Sequence, residues 1–221
     1  MTSRLSRATI RTEVAVPVAF SNGFRTTARL VTFDGLVDGR EHLALGFGSR
    51  GDCALHDASR DGTPLVRLHS ECLTGDVFGS QRCDCGPQLR EAVSRIDQAG
   101  GYLLYLRQEG RGIGLVAKLD AYALQDSGLD TYEANLALGF EADERDYAVA
   151  AQMLHALGSP CIELLSNNPD KARQLRRHGV TVTRQVPTAV HLSRSNAHYL
   201  ATKARRGAHT LELPPAVGDL G

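Results

Sequence analysis

This sequence predicts an α/β fold, α+β-like in its segregation: a mixed sheet with flanking helices, a β-rich N-terminal part and one main domain. Three observations carry the prediction. The first fifty residues hold short runs rich in β-branched and aromatic residues, parted by turn-forming clusters. From residue 88 onward, apolar residues recur at helical spacing and each such stretch stops at a glycine. Short apolar runs lie between those stretches, and strands alternating with helices build layered α/β domains.

Taken in order, residues 1–25 place basic side chains before an apolar run from Val14 to Phe20. That run follows Glu13, is interrupted by Pro17 and lacks a small-residue cleavage site, so it reads as an N-terminal arm or first strand and not as a targeting signal. "FRTTARLVTF" and "HLALGF" are strands separated by the turn cluster "DGLVDGRE". The polar, aperiodic "GSRGDCALHDASRDGTP" is a loop, and "PLVRLH" resumes as a strand that runs into a cysteine-bearing segment. Leu89, Ala92, Val93 and Ile96 mark a helix that stops at Gly100 before the strand "YLLYL". Further helices are expected at 115–127, 144–157 and 169–178, each followed by glycine, with strands "CIELLS" and "VTVTRQV" around the last of them. Residues 206–221 read as a flexible tail.

The chain has 221 residues, enough for one large or two small domains with a buried core. Twenty-five basic side chains balance twenty-five acidic ones, so no global field draws the protein to nucleic acid or an anionic membrane. An anionic ligand therefore needs a local pocket. Five cysteines without regular spacing argue against a disulfide framework and for a reducing, cytoplasmic setting. No apolar stretch approaches the roughly 20 residues that span a bilayer.

Four motifs carry chemistry. In "ECLTGDVFGSQRCDCG", Cys72, Cys83 and Cys85 have the spacing C-x10-C-x-C, with Gly86 and Pro87 supplying a sharp turn. Three thiolates suit zinc and leave a fourth position open. A closed structural site completed by His69 or Cys53 is the alternative. In "YLRQEGRGIGL", Gly110, Gly112 and Gly114 follow a strand and precede a helix, so backbone amides and Arg111 could meet a phosphate; steric need alone also places glycines there. In "EADERDYAVAAQM", Asp143 opens the expected helix, and an N-cap is the simplest role for it. In "LLSNNPDKARQL", Ser166 lies past the end of a strand and Lys171 in the first turn of a helix, where ligands of open α/β sheets bind; an ordinary solvated lysine is the alternative.

Together with "AYALQDSGLDTYEAN", these blocks resemble GTP cyclohydrolase II, in that family's order and over residues 30 to 205. The resemblance implies a single catalytic domain at 26–205, acting alone, that opens the guanine imidazole ring of GTP. Formate and pyrophosphate would leave, giving 2,5-diamino-6-(5-phosphoribosylamino)pyrimidin-4-one for riboflavin synthesis. It implies one catalytic zinc on Cys72, Cys83 and Cys85, magnesium with the triphosphate, and a homodimer. Tyr122 would hydrogen-bond the reacting centre and Asp143 would be the general base. Arg145 is the family's nucleophile toward the α-phosphate, although a guanidinium stays protonated and more readily clamps phosphate charge. Substrate contacts would run through Arg67, Leu68, His69, Ser70, Glu71, Gln88, Glu109, Gly110, Arg111, Thr131, Ser166 and Lys171. Glu109 would accept from two donors on the guanine edge. Ser166 stands where the family commonly has threonine, Asp120 where a basic residue is frequent, and Gln185 where arginine is usual. A non-catalytic, zinc-stabilised nucleotide-binding protein is the reading from another class, and a relative that keeps the formyl group or serves a secondary pathway is the variant within the enzyme class.

Overall fold

The computed structural model describes residues 6–48, 62–141, 143–189 and 191. Among the described residues, seven strands form one mixed sheet: β1 (Thr9–Ala19), β2 (Arg25–Asp34), β3 (Leu43–Phe47), β4 (Leu65–Ser70), β5 (Gly101–Leu106), β6 (Cys161–Leu165) and β7 (Thr181–Val186). Their order across the sheet is β1-β2-β3-β5-β4-β6-β7. The first three strands and β5 pair antiparallel, and β5, β4, β6 and β7 pair parallel. The segment read as an arm or first strand is a strand, joined to β2 over nearly its whole length. Most of the loop expected at 48–64, including Cys53, and the tail lie outside the described residues.

Among the described residues there are six α-helices: α1 (Leu73–Asp76), α2 (Cys85–Ala99), α3 (Leu115–Asp126), α4 (Thr131–Ala137), α5 (Ala148–Ala156) and α6 (Pro169–Arg177), of which α2, α5 and α6 pack on the sheet. Helices α1 and α4 were not expected, because four and seven residues are too few to display a 3.6-residue period. Helix α2 starts at Cys85, and α5 starts at Ala148, four residues later than its sequence pattern suggests.

The sheet buries both faces. On one side Val66 and Leu68 of β4 and Leu104 of β5 pack with Met153 and Leu154 of α5 and Leu175 of α6. On the other, Leu65 and Leu103 pack with Ala92, Val93 and Ile96 of α2. Successive strand side chains alternate between faces. Arg67 and His69 therefore follow Leu65 onto the α2 side, toward the N-terminus of that helix. Gly101 is needed where β5 meets β4, since a Cβ there would stand 1.9 Å from Leu65 O. The functional segments all leave the carboxyl ends of the parallel strands: 71–72 after β4, 107–111 after β5 and 166–171 after β6.

Candidate active site

Cys72 leaves β4 and precedes α1 directly, while Cys83 and Cys85 lie at the entry to α2. Their sulfurs lie within 4.8 Å of one another, and Cys72 Sγ is 3.7 Å from Cys83 Sγ. Two sulfurs at about 2.3 Å from a tetrahedral zinc stand about 3.8 Å apart, so the Cys72–Cys83 spacing fits that ion, with Cys85 in reach of both. The cradle is equally specific. A Cβ at Gly75 would meet Cys83 Sγ at 2.7 Å and Cys72 Sγ at 3.1 Å, and a Cβ at Gly86 would meet Gly75 O at 2.4 Å. Helices α1 and α2 thus interlock through two glycines, which lets the sulfurs converge. Hydrogen bonds from Cys83 and Cys85 hold the Cys72 thiol far below its ordinary pKa, and that thiolate in turn raises the other two.

Among the described residues, the metal-competent cluster contains no fourth histidine, cysteine or carboxylate. His69, one candidate for closing it, points Nε2 at both oxygens of Asp76, each at 3.0 Å. Asp76 Oδ2 also accepts from Cys72 N at 3.0 Å and from Tyr105 Oη at 3.0 Å. Its carboxylate therefore fixes the backbone of one sulfur donor together with two aromatic side chains. Cys53, the other candidate, lies outside the described residues.

The glycine-rich turn sits beside this cluster. Gly110 and Arg111 both adopt left-handed backbone, with φ of 60° and 62°. Glu109 is buried; its Oε2 accepts from Leu73 N at 2.7 Å, and its Oε1 accepts from Gly110 N at 2.9 Å and Lys118 Nζ at 2.8 Å. A carboxylate oxygen has two lone pairs. Glu109 thus retains one acceptor position, on Oε2, and not the paired acceptors expected for a guanine edge. Lys118 also donates to Cys72 Sγ at 3.2 Å and Thr74 Oγ1 at 3.0 Å. Sequence reasoning missed this lysine; its signal was a position on the buried face of α3, one turn before Tyr122.

One cavity is lined by every site residue expected from sequence except Asp143. Arg67, fully buried, donates to Leu165 O at 3.1 Å and Gln88 Oε1 at 2.8 Å, while Gln88 Nε2 reaches Asp84 Oδ2 at 2.5 Å. Burial pushes the Arg67 guanidinium below its ordinary pKa. Lys171 is buried as well and donates to Leu68 O at 2.7 Å, so it is not the solvated lysine that sequence allowed. Ser166 Oγ accepts from Asn168 N at 3.0 Å, and Asn168 caps α6. Tyr122 lies under the Arg82 guanidinium, 4.8 Å from its ring centroid, and burial pushes its phenol up, keeping it a proton donor. Arg82, Gln108 and Thr188 line the same cavity without having been singled out in the sequence.

Asp143 does not cap a helix. Tyr147 occupies the N-cap position of α5, and Asp143 lies four residues before it, outside any helix or strand. Its carboxylate takes a forked contact from Arg145: Nε donates to Oδ1 at 2.8 Å and Nη2 to Oδ2. Burial raises its pKa, but Arg145 outweighs that and holds the carboxyl below the usual range. Arg145 lines the cavity and is ion-paired to Asp143, which does not.

Among the described residues no helix is long and apolar enough to cross a membrane. The family model described as GTP cyclohydrolase II matches residues 11–187. GTP cyclohydrolase-2 of Psychromonas ingrahamii is 46% identical over 205 residues, covering 93% of this chain and 98% of that protein. The protein of the same name from Vibrio cholerae is 50% identical, covering 91% and 99%. "Riboflavin biosynthesis protein RibBA" of Bacillus mycoides is 48% identical over 91% of this chain and 48% of its own length.

Proposed function

Because this chain belongs to the GTP cyclohydrolase II family, we propose that it hydrolyses GTP at the guanine imidazole ring in the first step of riboflavin biosynthesis. Both bonds from C8 to nitrogen break, formate leaves, and cleavage at the α-phosphate releases pyrophosphate. The remaining product is 2,5-diamino-6-(5-phosphoribosylamino)pyrimidin-4-one. The observation that carries this reading is the convergence of three sulfurs on the wall of a cavity that also holds Tyr122, Arg145 and Lys171.

Zinc held by Cys72, Cys83 and Cys85 would supply Lewis acidity and a source of hydroxide at neutral pH. The chain's own residues do the rest. Tyr122, kept protonated, donates a hydrogen bond to the reacting base. Arg145 stays cationic in its fork with Asp143 and clamps the α-phosphate as charge develops there. Asp143, paired with Arg145, fixes the orientation of that guanidinium. Lys171 and Ser166, at the N-terminus of α6, meet phosphate oxygens, joined by Arg111 on the glycine-rich turn. Gln88, held by Arg67 and Asp84, presents an amide of fixed orientation, and Glu109 offers one acceptor to a base N–H. Magnesium accompanies the triphosphate, and the working form is a homodimer in the cytoplasm.

The test is incubation of purified, zinc-loaded protein with GTP and magnesium, with formate, pyrophosphate and the pyrimidine measured separately. Equal amounts of all three are expected. Pyrophosphate without formate would reject ring opening with full deformylation. GTP bound with no product would reject the enzyme reading altogether.

A further inference from the structure

We propose that Lys118 is a positioning residue for the sulfur cluster: its ammonium donates to Cys72 Sγ and offsets the negative charge that three thiolates bring to one ion. The inference deepens the zinc reading above and rests on it.

The hydrogen bonds of Lys118 all stay within the protein, and its ammonium also stands 5.7 Å from the Tyr122 ring centroid. Lys118 and Ala121 are the buried residues of α3, and a buried lysine requires partners for its charge. An ammonium has three N–H donors. Those of Lys118 go to Cys72 Sγ at 3.2 Å, Thr74 Oγ1 at 3.0 Å and Glu109 Oε1 at 2.8 Å. With every donor used inside the protein, Lys118 is spent before a substrate phosphate arrives. Its lining of the cavity is thus a consequence of where Cys72 sits.

The brace is built from both sides. Glu109, which anchors the ammonium, is itself held by the backbone N–H groups of Leu73 and Gly110. Thr74 lies on α1, two residues after Cys72. Lys118 therefore ties the glycine-rich turn, α1 and one sulfur donor into a single unit. Charge gives the unit its purpose. Three thiolates and the Glu109 carboxylate outweigh a divalent ion by two negative charges, and Lys118 removes one of them. An N–H···S bond also draws electron density from sulfur, so less is passed to the metal and its acidity toward a fourth ligand is kept. Groups touching the ligands of a metal commonly tune it in this way.

Cobalt(II) substitution of the full chain reads this directly, through the sulfur-to-cobalt charge-transfer band. A hydrogen bond lowers the sulfur lone pair, so losing it moves the band to longer wavelength. The variants are K118M, without a donor, K118Q, with a neutral donor, and K118R, with a charged one. K118M is expected to show the largest shift, K118Q an intermediate one and K118R the smallest. GTP turnover by the zinc forms should follow the same order, with kcat lowered by about 10–100-fold in K118M and KM changed far less. Circular dichroism of each variant identifies any that fails to fold, and the remaining pair still orders the band. A wild-type band that none of the folded variants moves would overturn the inference while leaving the metal reading intact. A KM increase without a band shift would overturn it too, by making Lys118 a substrate ligand. Wild-type protein with no sulfur-to-cobalt band would overturn both.

Discussion

Replacing Gly75 by alanine adds one methyl group at the place where the sulfur cluster has least room. Gly75 is not in the left-handed region, so alanine suits its backbone and the cost is steric alone. The new Cβ would lie 2.7 Å from Cys83 Sγ, 3.1 Å from Cys72 Sγ and 3.1 Å from Cys85 Cβ. Comfortable separations are about 3.5–4.0 Å, so Cys83 Sγ must retreat by roughly 1 Å. A metal site tolerates displacements of only about 0.2 Å in its ligand distances. Overpacking of this kind costs about 1–3 kcal/mol, equivalent to a fall of about 5- to 150-fold in metal affinity. Without metal, Cys83 can rotate away, so the metal-free protein should lose less stability than the metal complex does. Chelator competition gives the affinity, and urea unfolding of both forms gives the stabilities. Zinc affinity equal to wild type in folded G75A would refute the placement of the three sulfurs.

Asp143→Asn should lower pyrophosphate release by up to about 100-fold, the scale of a misplaced catalytic group, because an amide cannot complete the fork to Arg145. If Asp143 works through Arg145, the double variant D143N/R145A will match R145A; additive losses in single-turnover assays would instead restore an independent general base. At Glu91, burial pushes the carboxyl up but the Ala189 N–H, His191 and Arg95 outweigh it, holding it below the usual range. The folded pKa is depressed, so this stabilisation is complete above the ordinary value of about 4.3 and is lost as pH falls through the depressed one. Thermal unfolding of E91Q should accordingly lose part of the wild type's decline on acidification, and parallel pH curves would count against the clamp. Asn168→Ala removes the cap that accepts from Asp170 N at 2.9 Å and should cost about 0.5–2 kcal/mol in urea unfolding. N168D should restore that stability yet depress GTP turnover, since it places a carboxylate in the cavity proposed above to take phosphates.

Much of the fold was legible because its signals are local. "YLLYL" is apolar throughout and "CIELL" is so except at Glu163, as strands largely covered on both faces are, and glycines mark the helix ends. Cys72, Cys83 and Cys85 were legible because a turn can close their spacing into one cluster. Other features depend on contacts between distant parts of the chain. Lys118 looks like an ordinary polar residue of an amphipathic helix until Cys72, 46 positions away, is brought against it. Asp76 resembles any acidic loop residue, although it joins Cys72, His69 and Tyr105. Asp143 was read as a cap because aspartate before a helical pattern usually is one; sequence periodicity does not register that Arg145, two residues on, captures the carboxylate first. The same blindness hid how Glu109 divides its lone pairs among Leu73, Gly110 and Lys118.

The sulfur donors all come from one fourteen-residue stretch, whereas the opposite wall of the cavity arrives only when β6 docks beside β4, nearly a hundred residues later in the chain. Short loops close with little loss of chain entropy and long ones with more. Gathering the three sulfurs therefore closes a far shorter loop, at a smaller loss of chain entropy, than completing the cavity around them.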